Sequence, residues 1–284
     1  MKKIYFIVLA IFGMLITSCQ TNEITFPFEE LNTDQFSEIR LINAIPVTGS
    51  SDSLVINGNR YSSVATSLGS YYPASAAKYF ALPVGDNSVS LRFLAKTTAP
   101  TVDAFTYSAS IKTTKGKWSA YIYDKTKSPV LLQDAESVPT TDAWKDTVCF
   151  IRFVNFFHKS DGVTPFGKIT LKAKKNLTGA AWETIATDID FGTQSSEYFI
   201  YKLKNVTNLN PWSGAEASVT IGFFDSAGNQ YQQFSSATAS TKSAYSSTGW
   251  SFAKGRAYVI YINGKEGSTN NKDQFIRLGS FQTK

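Results

Sequence analysis

Ile39-Arg40-Leu41-Ile42-Asn43 returns 112 residues later as Ile151-Arg152-Phe153-Val154-Asn155. Each is an apolar run with one arginine inside it and an asparagine at its end, the composition of a strand. A spacing of three along a strand puts arginine and asparagine on opposite faces, so the two cannot readily converge on one ligand. An asparagine at a strand exit can instead hold the next loop through hydrogen bonds to its backbone. Arg40, Asn43, Arg152 and Asn155 therefore read as a structural motif used twice.

A second echo closes each copy. Lys115-Gly116-Lys117-Trp118 through Tyr123 returns as Lys254-Gly255-Arg256-Ala257 through Ile262, at an offset of 139. Two copies are too few for a solenoid and predict duplicated globular domains. The segments between the echoes are short β-prone runs bounded by turn residues. Ser53 to Asn57 ends on Asn57-Gly58, a strong hairpin signal. Lys78 to Leu82 leads through Pro83-Val84-Gly85-Asp86-Asn87 into Ser88 to Phe93, and Thr220 to Phe224 stops at Asp225-Ser226-Ala227-Gly228. Fourteen Tyr and twenty-one Phe favour pleated surfaces, and no amphipathic helical window follows Cys19. The fold class expected is all-β: two tandem antiparallel immunoglobulin-like β-sandwich domains after a lipoprotein signal peptide.

The N-terminus gives an address. Lys2 and Lys3 precede an apolar run from Ile4 to Ile16, which is too short for a membrane-spanning helix and has the build of a signal peptide. Ile16-Thr17-Ser18-Cys19 resembles a bacterial lipobox, which makes Cys19 the lipidated first residue of the mature chain. The organisation expected is signal peptide 1–18, tether 19–38, first sandwich repeat 39–135, linker 136–147 and divergent second repeat 148–284. The polar, proline-interrupted stretch from Asp134 to Asp146 reads as the joint.

Two cysteines, one of them lipidated, leave Cys149 without a partner, so the body relies on its core. Cys149 sits in an apolar run and reads as a small buried hydrophobe. The formal charge is +6, from 28 Lys and Arg against 22 Asp and Glu. Within the densest basic group, Lys168, Lys172, Lys174 and Lys175, alternation puts Lys168, Lys172 and Lys174 on one strand face that reads as solvated, and no nucleic-acid partner is expected.

Ile39-Arg40-Leu41-Ile42-Asn43-Ala44-Ile45-Pro46 also resembles the opening motif of domain-of-unknown-function family 4397. Tyr79-Phe80-Ala81-Leu82-Pro83-Val84-Gly85 is similar to that family's aromatic strand leading into Pro-x-Gly. Gly116-Lys117 before the strand to Tyr123 is similar to its closing motif. The second repeat keeps Arg152, Asn155 and Gly255-Arg256, but has Phe156-Phe157-His158 in place of Ala-x-Pro. It also lacks a Pro-x-Gly after Tyr198-Phe199. The resemblance implies a β-sandwich module of exported proteins, common in Bacteroidetes-type lipoproteins, and brings no catalytic residues.

Residue chemistry points away from catalysis. The single histidine, His158, reads as an ordinary loop histidine before the surface turn Lys159-Ser160-Asp161-Gly162. No zinc spacing, phosphate loop or nucleophile elbow is present, and no cofactor or metal is expected. Asp188 and Asp190 could share a strand face, but read as solvated acids at a strand end. Flat rings in turn-rich sequence are the candidate ligand contacts: Tyr71, Tyr72, Trp212 and Trp250. The leading expectation is a non-catalytic, lipid-anchored cell-envelope protein on either face of the outer membrane, binding a glycan or a partner protein. A structural component of a surface assembly or adhesin is second, and a glycan-active hydrolase third.

Overall fold

Burial along the strands follows two different rhythms, and the difference sorts them into layers. The computed structural model describes residues 35–46, 51–62, 71–73, 79–95, 97, 101, 103–134, 147–175, 177–203, 215–234, 242–244, 246–266 and 277–283. Cys19, the signal peptide, most of the tether, nearly all of the linker and Trp212 lie outside them. No α-helix occurs among the described residues.

The first half contains β1 (Phe36–Asn43), β2 (Ser51–Ile56), β3 (Asn59–Ser62), β4 (Tyr71–Tyr72), β5 (Phe80–Pro83), β6 (Gly85–Phe93), β7 (Phe105–Thr113), β8 (Gly116–Ile122) and β9 (Val130–Gln133). The second contains β10 (Val148–His158), β11 (Ile169–Lys174), β12 (Trp182–Ile189), β13 (Thr193–Gln194), β14 (Phe199–Lys202), β15 (Ala215–Phe224), β16 (Gln232–Phe234), β17 (Lys242–Ala244), β18 (Ser247–Ala253), β19 (Ala257–Lys265) and β20 (Arg277–Thr283). One sheet of the first half runs β4-β1-β8-β9, with β5 also on β1, and its second sheet runs β3-β2-β6-β7. The second half repeats this order as β13-β10-β19-β20, with β14 on β10, and β12-β11-β15-β18. A separate hairpin, β16–β17, has no counterpart among the described residues of the first half.

Strands β6 and β7 alternate buried and exposed residues, as sheets with one wet face do. Strand β10 is buried at ten of eleven positions and β19 at eight of nine, and β1 is buried from Ile39 to Asn43. Both faces of these inner strands are covered. Ile39 and Leu41 enter the core of the first sandwich, and Ile151, Phe153 and Phe157 enter that of the second. The opposite faces meet each other: Ile42, Ala44 and Tyr121 share one apolar cluster with Val154, Phe156, Val259 and Tyr261. Tyr121 stacks on Phe156 at 4.5 Å between ring centres and presents its edge to Tyr261 at 6.3 Å. The two sandwiches therefore share a third core rather than hanging apart on a linker.

The expected antiparallel pairing is corrected at two ladders. Strands β1 and β8 pair in parallel over seven residue pairs, and β10 and β19 over nine. Parallel neighbours lie in sheets buried on both sides, which accounts for their unbroken apolar runs. The register also corrects the second echo. Ile39 faces Trp118 and Ile151 faces Tyr258, so the equivalent offset is 140 (258 − 118), not 139. One residue decides the face. At 140, Tyr121 corresponds to Tyr261, and both point into the shared core.

Local turn chemistry follows the sequence closely. Asn57 (φ 50°) and Gly58 (φ 79°) form the left-handed pair that joins β2 to β3. The Pro83 to Asn87 turn is tighter than expected, with only Val84 between β5 and β6. Buried Asn87 closes it by donating to the carbonyls of Pro83 (2.9 Å) and Gly85 (3.1 Å). Cys149 is a fully buried thiol in the second core and is in no disulfide.

Candidate functional site

The arginines stand on the shared-core side of β1 and β10, and the asparagines face the sandwich interiors. Asn43 accepts from the Ile45 N–H at 3.2 Å. Asn155 does more: it accepts from the Phe157 N–H at 3.0 Å and donates to the carbonyls of Gly167 and Ile189, each at 2.9 Å. Asn43 thus holds the chain as it leaves β1, whereas Asn155, three residues before the end of β10, ties that strand to the Gly167 and Ile189 backbone.

Arg40 is completely buried and pairs with Asp134 at 3.1 Å. Asp134 Oδ2 also accepts from Ser119 at 2.7 Å and from the Tyr79 hydroxyl at 2.9 Å. The guanidinium carbon lies 4.5 Å from the Tyr79 ring centre. Burial first, and then the Asp134 charge, pushes the Tyr79 phenol up, so it remains a neutral donor. Asp134 is thus not part of a solvated joint, because its 2% exposure and its N–H bond to Lys117 fix it beside β8. Arg152 is placed over Tyr198 at 4.4 Å. Arg40 and Asp134 are closed to ligands by their burial.

His158 is corrected as well. It ends β10 and is 1% exposed, with its ring edge-on to Phe191 at 4.8 Å. Burial pushes its pKa down, against smaller upward effects from the Gly264 and Phe156 backbone, Asp124 and Asp161. The turn begins only after it: Asp161 caps the Val163 and Thr164 N–H groups at 2.8 Å each.

Two predicted rings are committed to packing. Tyr72 lies 5.4 Å from Phe80 against the first core and donates its hydroxyl to the Tyr61 carbonyl. Trp250 belongs to strand β18 rather than to a loop, and packs against the second core. Tyr71 takes part in β4 through its backbone pairing with Ile42. Tyr61, 5.8 Å from Phe80 and 41% exposed, is a ring that the sequence reading passed over.

Asp188 bends the β12 edge at φ 51°, and its N–H donates to Thr170 Oγ1 at 3.0 Å. Asp190 stays exposed, and no metal-binding group of three or more His, Cys, Asp or Glu exists among the described residues. Lys168 is exposed and Lys172 and Lys174 are half-buried, with the Lys172 ammonium 4.2 Å from the Phe224 ring centre.

A concave site forms where β15 ends. Asp225 stops the strand and Gly228 donates back to its carbonyl at 3.0 Å, which returns the chain so that Tyr231 N–H bonds Phe223 at 3.0 Å. Tyr231 then stacks on Phe223 at 4.9 Å and meets the edge of Phe166 at 5.8 Å. Glu266 is held beside them by its N–H bond to the His158 carbonyl at 2.9 Å. Phe166, Phe223, Phe224 and Tyr231, with Asp225, Asn229, Gln230 and Glu266, enclose about 230 Å³. The Asp225 carboxylate accepts from the Asn229 N–H at 2.8 Å and from its side-chain amide at 3.0 Å. Those bonds hold its carboxyl below the usual range, the side-chain bond most. The sequence showed the Asp225 turn but not Tyr231, whose role appears only once the turn folds back.

No protein-family model matches the chain, and no curated protein matches it. Among solved structures, a proposed cell adhesion protein of Bacteroides uniformis is similar at 12% identity and TM-score 0.24, over 88% of this chain and 98% of that one. The tip fimbrial protein Mfa3 of Porphyromonas gingivalis, truncated at its C-terminus, is similar at 10% identity and TM-score 0.21, over 87% and 99%. A proposed cell adhesion protein of Bacteroides ovatus is similar at 10% identity and TM-score 0.24, over 87% and 98%.

Proposed function

We propose that the chain is a non-catalytic glycan-binding module of a bacterial cell envelope, duplicated from one sandwich of the family-4397 kind and held to the outer membrane by lipid on Cys19. The observation that carries the reading is the pocket at the end of β15. It joins aromatic side chains to amides and carboxylates, the combination that holds sugars by stacking and hydrogen bonding. Hydrolysis of a glycosidic bond needs a carboxylic acid kept protonated beside its partner. The Asn229 bonds hold the Asp225 carboxyl below its usual range, so Asp225 does not supply that acid. Full-chain protein on an array of bacterial and host glycans should bind, and Tyr231→Ala should lose that binding by far more than the folded fraction it loses with the Phe223 stack. Binding unchanged in Tyr231→Ala would move the site elsewhere, and an array with no bound glycan would end the reading.

Anchoring is a separate arm. Cys19→Ser should abolish fatty-acid labelling and release the protein from membranes, and unchanged detergent partitioning would refute the anchor. A role in surface assembly is the second reading, favoured by β7. That nine-residue strand pairs only with β6 among the described residues and carries Lys112 as its one charge. Such edges recruit further strands. Sedimentation that stays monomeric across concentrations would remove this reading.

A further inference from the structure

We infer that the pocket is one end of a longer track, and that its ligand is a chain of neutral sugar rings running from Tyr231 onto the indole of Trp182. This rests on the binding reading above and adds the ligand's charge, its length and a second contact point.

The charge follows from the lining. Two carboxylates, Asp225 and Glu266, line the cavity, and no lysine or arginine does among the described residues. An anionic group in the cavity would meet the Asp225 charge at close range, whereas Lys172, which reaches the track from β11, holds its ammonium 4.2 Å from the Phe224 ring centre and outside the cavity lining. The Asp225–Asn229 pair offers an acceptor beside an amide donor, and neighbouring hydroxyls on one sugar ring can give to the first and receive from the second.

The length follows from Gly222. This residue lies on the outer face of β15, opposite Lys172 on β11. A Cβ there would stand 2.8 Å from Trp182 Cη2, 3.1 Å from Cζ3 and 3.2 Å from Gln230 Nε2. The missing side chain lets the indole lie down on the sheet and brings the Gln230 amide to its border. Gln230 and Phe224 both line the pocket, and Phe224 meets the Trp182 ring edge-on at 5.5 Å. The half-buried indole therefore continues the pocket wall along the sheet, as a flat apolar surface suited to the C–H face of a further sugar ring. Neither Trp182 nor Tyr231 was marked by the sequence, because they meet only through the β11–β12–β15 ladder and the Asp225 turn.

The test uses full-chain protein in native gels containing laminarin, xyloglucan, galactomannan or dextran, with alginate as an anionic control. The polysaccharide that retards the protein is then cut to a disaccharide and a hexasaccharide for calorimetry. Trp182→Ala should weaken hexasaccharide binding by about tenfold and leave the disaccharide unchanged, whereas Tyr231→Ala should weaken both. Gly222→Ala, which keeps the indole but lifts it, should reproduce the Trp182→Ala pattern and guards against a simple folding defect. Equal affinities for the two oligosaccharides, or a Trp182→Ala variant that binds the hexasaccharide normally, would overturn the track while leaving the pocket intact. Retardation by alginate alone would overturn the charge assignment. Retardation by none of the five would remove the glycan-binding reading itself.

Discussion

Arg40 and Arg152 occupy the same register position in strands with the same neighbours, yet they live in different chemistry. Arg40 faces Ser119 across the parallel ladder, and Arg152 faces Val259. The antiparallel partners extend the contrast: Asp134 bonds to Lys117 beside the first arginine, and Thr283 pairs with Ala257 beside the second. What both keep is a tyrosine ring, Tyr79 under Arg40 and Tyr198 under Arg152. The first arginine is fully enclosed and ion-paired, whereas the second stays half-buried. A repeated motif thus preserves the stacking geometry, and the carboxylate is what allows one copy to sink out of water.

Removing that carboxylate should give the largest effect. Asp134→Ala leaves a buried guanidinium unpaired and should cost about 3–5 kcal/mol in urea denaturation, whereas Arg152→Met should cost about 1 kcal/mol or less. Similar costs for the two would break the comparison. The double replacement Arg40→Met, Asp134→Leu should recover much of the loss, because burying two charges is itself expensive.

The asparagines should differ in the opposite sense. Asn155→Ala orphans two carbonyls and an N–H and should cost about 1–3 kcal/mol, whereas Asn43→Ala loses one long bond and should fall near 1 kcal/mol. Thermal melts of both variants decide it, and a larger loss at Asn43 would mean that its loop is held by more than Ile45.

The smallest effect should be a pH slope carried by the second half alone. An unfolded chain protonates His158 near pH ~6.5, but in the folded protein burial pushes that protonation to lower pH. The stability this neutral ring allows is complete above that value and falls as pH drops through it. Denaturation at pH 7.5 and 5.5 should show a smaller acid loss in His158→Gln than in the parent. An identical slope would assign the acid sensitivity to other groups.

The sequence made the outer strands legible because they alternate, and it marked the Asn57-Gly58 and Asp225 turns through their residue chemistry. Inner strands were harder. The run from Thr147 to Val154 reads as a buried strand, but an apolar run does not say what covers its second face. The parallel partners are far apart in sequence, so nothing local announces them. The Asp134 partnership failed for the same reason: polar neighbours and a nearby proline suggested a joint, while the residue that needs it lies ninety-four positions earlier. His158 was misplaced by its polar successors, although Phe156 and Phe157 before it continue the strand.

The parallel pairing of β1 with β8 also has a mechanical consequence. A chain held from ahead of Phe36 is pulled along the length of β1, and the ladder from Ser37 to Asn43 resists lengthwise. Loaded in this direction, its hydrogen bonds share the force and must give way together, rather than one after another as in a hairpin peeled from its end. The neighbour that would have to slide, β8, is gripped on its other face by Phe156 and Tyr261 through Tyr121. Tension applied ahead of Phe36 therefore meets a strand that is buried from Ile39 to Asn43, in an orientation suited to bearing a sustained pull.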